Sequence, residues 1–245
     1  MDTFELIGVV HLVRPTGVRA HDLESLLEGI ERAPDSALFY HTVHPRLRHA
    51  GAAEGTADDL SHWVGAVLQD PETAERLSFA VQLRGDSAPD VRGALREAVR
   101  ATPAEQRRRR AHEGGEFQFL SAETVAVPAG TIADSPAALF ELLAASDLSV
   151  WFHHLLERPW YGDHALTEWL EARGETRLAR WLDQGAHSGQ PLERVRREVI
   201  RRWRRSRLGQ ATLEAAAQPP DARRERESHA VSNLVRLLRG NEDGR

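Results

Sequence analysis

The sequence predicts a mainly helical α+β protein that contains two similar units in tandem. Three observations support this prediction. The chain aligns with itself, each aligned copy opens with a segment typical of a β-strand, and the rest of each copy carries apolar residues at helical spacing. A chain of 245 residues is long enough for one large domain or two small ones.

The self-alignment keeps the same order along both copies. The offset between aligned residues is 113 at the start, 112 at an aromatic–histidine segment and 106 at a tryptophan-containing helix, and it falls at loops, as deletions would produce. We therefore predict a tandem duplication of a unit of about 100 residues. The aligned segments are Phe4–Leu6 with Phe117–Phe119, Ala37–His41 with Ser149–His153, and Leu60–Val64 with Leu166–Leu170.

Each copy opens with one strand segment rich in β-branched and aromatic residues. Both segments reach a Pro-x-Gly sequence, Pro15–Gly17 and Pro128–Gly130, where we expect the strand to end in a turn. The apolar residues of the segments are Phe4, Leu6, Val9 and Val10 in the first copy and Phe117, Phe119, Val125 and Val127 in the second.

Four or five helices are predicted after each strand segment. The first helix of the second copy begins at Ser135-Pro136, a cap followed by proline at the first helical position. Its counterpart in the first copy has an apolar stripe at i, i+3, i+4, i+7 spacing, formed by Leu23, Leu26, Leu27 and Ile30.

These elements place the first repeat unit at residues 1–103, a junction at residues 104–115 and the second unit at residues 116–208. Residues 209–227 are rich in alanine, proline and charge, which predicts a flexible linker. Residues 228–240 predict a short amphipathic helix, whose apolar stripe is Val231, Leu234, Val235 and Leu238. A helix of this kind on a polar tether is typical of groove docking, either on a partner protein or on its own chain.

Composition excludes several classes of chemistry. The chain has no cysteine, which excludes disulfides, thiolate nucleophiles and cysteine-bound metals. All 32 basic residues are arginine, so no Schiff-base lysine and no P-loop lysine can occur. The first residues lack the basic run of a signal peptide and no segment has the roughly 18 apolar residues of a spanning helix, so we expect a cytoplasmic protein without a membrane partner.

Two long parts of the chain resemble the bacterial domain-of-unknown-function 5752 family. The first part is PTGVRAHDLESLLEGIERAPDSALFYHTVH (residues 15–44) with DDLSHWV (residues 58–64). The second is EFQFLSAETVAVPAGTIADSPAALFELL (residues 116–143) with SVWFHH (residues 149–154) and EWLEARGETRLARWLD (residues 168–183). The resemblance covers about residues 3–203. It implies a bacterial cytosolic protein and supplies no catalytic residue; in particular, no role is carried over to His154.

The histidines His41 and His44, which follow two aromatic residues, are the main candidates for chemistry. At i, i+3 spacing they could reach one metal, and the self-alignment pairs His41 with His153, so a metal site joining all three is one interpretation. Against it, the copy has Leu156 where His44 stands, and no His-Glu-x-x-His motif occurs. We favour a buried imidazole bonded to a backbone carbonyl beside aromatic rings; a histidine in a ligand pocket is the third interpretation.

The candidate binding pocket combines the aromatic–histidine segments with an aromatic loop at residues 159–164. That loop could stack on a ligand, or it could fill the space between the copies. We assign no catalytic residue, no metal and no cofactor. The candidate pocket residues are Tyr40, His41, Phe152, His153, Trp160 and Tyr161.

Two arginine-rich segments, Arg107–Arg110 and Arg194–Arg207, are candidates for a nucleic-acid surface. The alternative without a binding function is that Arg107–Arg110 lie on a solvent-exposed helix face. Arg194–Arg207 would then form a packed helix whose arginine side chains cover apolar surface. The formal net charge of −5 gives no general attraction to nucleic acid. For the first segment we expect a helix that starts near Thr102 and ends at Gly114-Gly115.

Together these patterns favour a non-catalytic binding or adaptor protein of the bacterial cytosol. The tandem core would bind one protein partner, and the C-terminal helix would dock on another. One alternative is a metal-dependent or small-molecule enzyme centred on His41, His44 and His153. The other is nucleic-acid binding through the two arginine-rich segments.

Overall fold

The computed structural model describes residues 3–49, 58–84, 87–206 and 209–211. The fold is α+β and mainly helical, as the sequence predicts. The chain divides into two compact units, Met1–Ile200 and Arg201–Arg245, and both strands lie in the first. The predicted C-terminal helix with Val231, Leu234, Val235 and Leu238 lies outside the described residues, as does most of the predicted linker.

Each of two long strands is followed by a series of helices. The first strand, β1 (Phe4–Ala20), precedes α1 (Leu23–Arg32), α2 (Asp35–Thr42), α3 (Pro45–Arg48), α4 (Asp59–Ala66), α5 (Pro71–Arg84), α6 (Ala88–Arg100) and α7 (Ala104–Arg107). The second strand, β2 (Phe117–Ala133), precedes α8 (Pro136–Ala145), α9 (Leu148–Phe152), a π-helical segment (His153–Glu157), α10 (Arg158–Trp160), α11 (Ala165–Glu171), α12 (Thr176–Ala186) and α13 (Leu192–Arg204).

β1 and β2 pair with each other as an antiparallel two-stranded ribbon. Phe4 lies opposite Ala133 at one end, and Ala20 lies opposite Phe117 at the other. The central pair joins His11 to Thr124. The two helical series therefore start at opposite ends of the ribbon, α1 after Ala20 and α8 after Ala133.

The strands do not end at the Pro-x-Gly sequences, which corrects the sequence prediction. β1 continues to Ala20, and the register shifts between Pro15 and Arg19. Gly17 has φ of +80°, a left-handed conformation that glycine adopts without a Cβ clash. The sequence is therefore a bulge within a strand, where the missing proline N–H interrupts little of the ladder. Gly130 occupies the same kind of position in β2, with φ of +65°.

The ends of the ribbon are covered by helices, whereas the centre of its outer face is exposed. The end residues Phe4, Leu6, Phe117 and Phe119 are buried. Alternate side chains of a strand point to opposite faces, so the central residues divide between an inner, helix-covered face and an outer face. Exposed apolar side chains at the centre are Val10, Leu12, Val125 and Val127.

The helix starts follow the predicted capping chemistry, but the junction helix is shorter than predicted. Ser135 accepts a hydrogen bond from the backbone N–H of Ala138, and Pro136 stands at the first helical position. At the junction, α7 is a single turn that ends at Arg107, far before Gly114. The basic residues 108–110 that follow this turn are not helical. A single turn forms few of the hydrogen bonds that offset the cost of helix nucleation.

Candidate functional site

Two buried histidines connect each helical series to the strand of the other. His41, at the end of α2, accepts a hydrogen bond at Nε2 from the backbone N–H of Leu120 in β2, over 2.8 Å. His154, in the π-helical segment, accepts one at Nε2 from the N–H of Ile7 in β1, over 3.0 Å. Since the ribbon has no third strand, outward-facing N–H groups lack a ladder partner, and the imidazoles supply one.

These contacts indicate an offset of 113, not 112, for the self-alignment at the aromatic–histidine segment. His41 and His154 are 113 residues apart, and so are their partners Ile7 and Leu120. The ring contacts agree, because His41 lies 4.7 Å from Phe117 and His154 lies 5.1 Å from Phe4, centroid to centroid. The counterpart of His41 in the second series is therefore His154, not His153 as the alignment at offset 112 predicted.

His41 is buried beside aromatic rings as predicted, but its bonding partners differ from the expected carbonyl. Its Nε2 accepts from a backbone N–H, so the ring proton is on Nδ1, which donates to Asp59 over 2.8 Å. Arg48 also bonds this carboxylate, over 2.6 Å. Burial opposes ionisation of Asp59, yet the hydrogen bonds from His41 and Arg48 lower its pKa below the usual range.

A second group, the Glu157 network, surrounds a buried carboxylate at the centre of the ribbon. It consists of Glu157, His11, Thr124 and His153. Glu157 Oε1 accepts hydrogen bonds from His11 Nε2, over 3.0 Å, and from the Thr124 hydroxyl. Glu157 Oε2 accepts from His153 Nδ1, over 2.6 Å. The network thus joins β1, β2 and the π-helical segment through one carboxylate.

The Glu157 carboxylate is ionised although it is buried. Its residue is 2% exposed, and burial alone would raise its pKa. The hydrogen bonds from His11, His153 and Thr124 outweigh the burial and lower the pKa to about 2. The three neighbours thus hold the carboxylate as a hydrogen-bond acceptor.

His44 lies against this network without joining it. Its ring is 4.6 Å from the ring of His11 and stacks on Tyr40 at 5.1 Å, centroid to centroid. Burial, followed by the charges of His11 and Arg48, lowers the pKa of His44 to about 4. His41, His44 and His153 therefore have three different environments. Within residues 3–49, 58–84, 87–206 and 209–211, no group of three or more histidine and acidic side chains is arranged to hold a metal ion.

A cavity of about 140 Å³ lies beside His154 in the first compact unit. We call it the His154 cavity. It lies between the π-helical segment, α3, α5, α11 and α12. Its walls are largely apolar and include Val43, Leu155, Leu156, Leu166 and Leu182, and its polar lining includes Arg46, His154 and Trp160.

Two residues that line this cavity, His154 and Trp160, each carry a buried N–H donor without an acceptor. His154 and Trp160 are 2% and 3% exposed. Because His154 Nε2 accepts from Ile7, its proton is on Nδ1, and no described residue reaches that atom. The indole N–H of Trp160 has no acceptor among the described residues either. Burial, followed by the charges of His153 and Arg158, lowers the pKa of His154 to about 3, so the ring stays neutral at pH 7.

The predicted pocket residues distribute over several places. Trp160 lines the His154 cavity, whereas Tyr40 and His41 line a second, shallower depression with Asp59. Phe152 contacts the rings of His11 and Phe39 beside the Glu157 network, and His153 bonds Glu157. Tyr161 is 55% exposed. Sequence reasoning did not assign His154 or Arg46 to a pocket, since neither stands in a motif.

The two arginine-rich segments are partly engaged in internal contacts. Arg107 bonds Glu24 over 2.9 Å and also bonds backbone carbonyls, whereas residues 108–110 are exposed. In α13, Arg196 bonds the Ala144 carbonyl and pairs with Glu193. Arg207 lies outside the described residues. No described helix is long and apolar enough to cross a membrane.

Comparison with known proteins identifies a family but no activity. No curated protein matches the chain. Among solved structures, OrfY from Thermoproteus tenax is similar in fold, with a TM-score of 0.70 and 24% sequence identity; the match covers 84% of this chain and 96% of that one. The profile of the family of unknown function DUF5752 matches residues 1–204, the same region as the resemblance found in the sequence. The chain therefore belongs to the DUF5752 family.

Proposed function

We propose that the chain is a non-catalytic binding protein whose core holds a small molecule in the His154 cavity. The observation that carries this proposal is that two residues lining an apolar cavity, His154 and Trp160, have buried N–H donors without an acceptor, at Nδ1 and Nε1 respectively. A buried donor left unpaired costs roughly 1–3 kcal/mol, so two at one cavity favour a ligand that supplies acceptors.

The size of the cavity suits a compact ligand. An apolar cavity of roughly 150 Å³ can hold a benzene molecule, and the His154 cavity encloses about 140 Å³. A ring or a short branched chain would fill it. Apolar walls with a few fixed polar groups are the usual composition of small-molecule sites.

The protonation of the lining groups favours binding over catalysis. A general acid or base works best when its pKa lies near the working pH. The pKa of His154 is about 3, so its ring is a neutral donor at pH 7 and does not take up a proton. Glu157, the nearest buried carboxylate in sequence, is held by three donors.

A tandem duplication, with the two helical series as its copies, accounts for the geometry of the ribbon. Every strand pair except Leu6 with Thr131 has a counterpart at offset 113; for example, Phe4 with Ala133 corresponds to Phe117 with Ala20. The two crosswise histidines, His41 and His154, have the same offset. An isologous pairing of this kind is what two copies related by a pseudo-two-fold axis would form. The axis would pass between the central residues of the ribbon.

The adaptor role is a further part of the proposal, and the apolar stripe of residues 228–240 supports it. A helix of this length is marginal in isolation, so it would fold on a groove. Deleting residues 221–245 should leave the melting temperature of the core nearly unchanged and abolish capture of the partner. Unchanged capture by the shortened chain would remove this part of the proposal.

Cavity filling tests the small-molecule proposal. Val43, 7% exposed, lines the cavity, and Val43→Phe would occupy part of the space. We expect fragments that bind the wild-type chain in ligand-observed NMR to compete with one another and to lose binding in this variant. Val125→Phe, on the exposed ribbon face, is the matched control and should bind them normally. Fragments that bind both variants equally would place the site elsewhere.

A further inference from the structure

We infer that the ligand of the His154 cavity is an oxyanion on a compact apolar body, with Arg46 as its counter-ion. This inference rests on the proposed function, because it specifies the ligand class of the same cavity. The chemical class follows from which polar atoms of the lining lack partners, from the charge of Arg46, and from the positions of the acidic groups.

The cavity-lining residues have three buried side-chain atoms without a partner, and all three are N–H donors. They belong to His154, Trp160 and Arg46, through Nδ1, Nε1 and Nε respectively. Among the described lining residues, no buried side-chain acceptor is without a partner. A ligand group that donates would therefore leave all three donors unpaired, whereas an oxygen with several lone pairs can accept from more than one of them.

Arg46 adds a positive charge that no described carboxylate balances. Its guanidinium bonds the backbone carbonyls of Ala186, Gly185 and Gln190 at the end of α12. Within the described part of the chain, no acidic side chain lies at ion-pair distance from it, and burial alone acts on its pKa, which is lowered to about 10. A partly buried cation with only carbonyl partners attracts an anion strongly, since low local polarity weakens screening.

The two acidic residues of the lining do not replace such an anion. Asp58 is buried and caps α4, where it accepts from the N–H and the hydroxyl of Ser61. Asp183 lies at the exposed rim, 3.3 Å from His187. Both carboxylates are therefore engaged by their own neighbours.

Benzoate and benzamide are suitable probes, because they share a ring and differ in the charge of the head group. In the ¹⁵N-labelled full-length chain, we expect benzoate to move the indole N–H signal of Trp160, which Trp160→Phe identifies by its loss. Calorimetry should show benzamide binding at least about tenfold more weakly, since a charge-assisted hydrogen bond is roughly twice as strong as a neutral one. Phenylphosphonate distinguishes a phosphate-type head group from a carboxylate.

Matched variants separate the roles of the donors. Trp160→Phe keeps a ring in place and should weaken benzoate binding by about tenfold, whereas Trp181→Phe, which lies outside the cavity lining, should not. Arg46→Gln should abolish the preference for benzoate over benzamide. Arg92→Gln is its control, because Arg92 also bonds helix-end carbonyls but lies away from the cavity.

The outcomes distinguish this inference from the proposed function. If benzamide moves the Trp160 signal and binds as tightly as benzoate, the oxyanion class is wrong, although a small-molecule site remains. If benzoate, phenylphosphonate, benzamide and benzene all leave the signal unmoved, both proposals fall. A preference for benzoate that survives Arg46→Gln would overturn the assignment of the counter-ion.

Discussion

Replacing Glu157 with glutamine tests whether the buried network stabilises the ribbon. The substitution keeps the shape of the side chain and removes its charge, so that one amide NH₂ group must face an imidazole N–H or the Thr124 hydroxyl. The pKa of Glu157 is about 2, against 4.5 for an ordinary glutamate. At about 1.4 kcal/mol for each pKa unit, the folded environment favours the charged form by roughly 3 kcal/mol.

The sign of the pH dependence follows from the same values. Because the folded-state pKa lies below the unfolded-state value, the unfolded chain binds the proton first as the pH falls. The contribution is complete above pH 4.5 and is lost between pH 4.5 and pH 2. Glu157→Gln should therefore lower the free energy of unfolding at pH 7 by roughly 3 kcal/mol and flatten its decline over that interval.

Urea unfolding at several pH values measures both effects, and the melting temperature should fall by roughly 6–12 °C. Glu141→Gln, on the exposed face of α8, is the control and should change stability by less than about 0.5 kcal/mol. A Glu157→Gln variant with wild-type stability at pH 7 and an unchanged acid profile would refute the reasoning.

Three further substitutions test other parts of the fold. The folded-state pKa of His44 is about 4, so the unfolded chain binds this proton first and stability falls as the pH drops from 6.5 to 4. His44→Gln should flatten this decline in the free energy of unfolding. A wild-type pH profile in urea unfolding would contradict this prediction. Gly29→Ala should lower the free energy of unfolding in urea by about 1–3 kcal/mol, since the new Cβ would lie 2.4 Å from the Phe119 ring. Gly93→Ala is the control, because Gly93 has open space around it, and it should be neutral or stabilising by up to about 1 kcal/mol. Equal effects of the two substitutions would contradict the packing of Gly29 against Phe119. Ser135→Ala removes the cap of α8 and should lower the thermal stability by about 1 kcal/mol, and an unchanged melting temperature would show that the cap is dispensable.

Local patterns in the sequence predicted the elements well where burial is periodic. Three residues of the predicted stripe of α1, Leu23, Leu26 and Ile30, are fully buried, whereas the fourth, Leu27, is half-buried. The same approach misplaced the ends of the strands, because Pro15 and Gly17 are compatible with either a turn or a bulge. The bulge is identified by the pairing of the two strands, which is a contact between residues distant in the sequence.

The match of His41 to His154 was missed for a related reason. Two adjacent histidines, His153 and His154, offer two alignments that differ by one gap, and the residues alone do not choose between them. The hydrogen bonds of His41 to Leu120 and of His154 to Ile7 support the alignment of His41 with His154. These bonds depend on which strand N–H groups face outward, and the sequence does not show that.

The His154 cavity was beyond sequence reasoning, except for the inclusion of Trp160 among the candidate pocket residues. Arg46 has the neighbours of an ordinary surface arginine in the sequence, and its role depends on the end of α12, about 140 residues later. His154 lines the cavity because the π-helical segment places its ring between β1, which it bonds through Nε2, and the cavity wall.

A crystal structure of the full-length chain soaked with benzoate is the decisive test of the His154 cavity as a binding site, because it locates the ligand and its hydrogen bonds together. We expect a carboxylate oxygen within about 3 Å of both His154 Nδ1 and Trp160 Nε1, with the ring between the apolar walls. An empty His154 cavity at saturating benzoate, or benzoate bound only at another place, would contradict it.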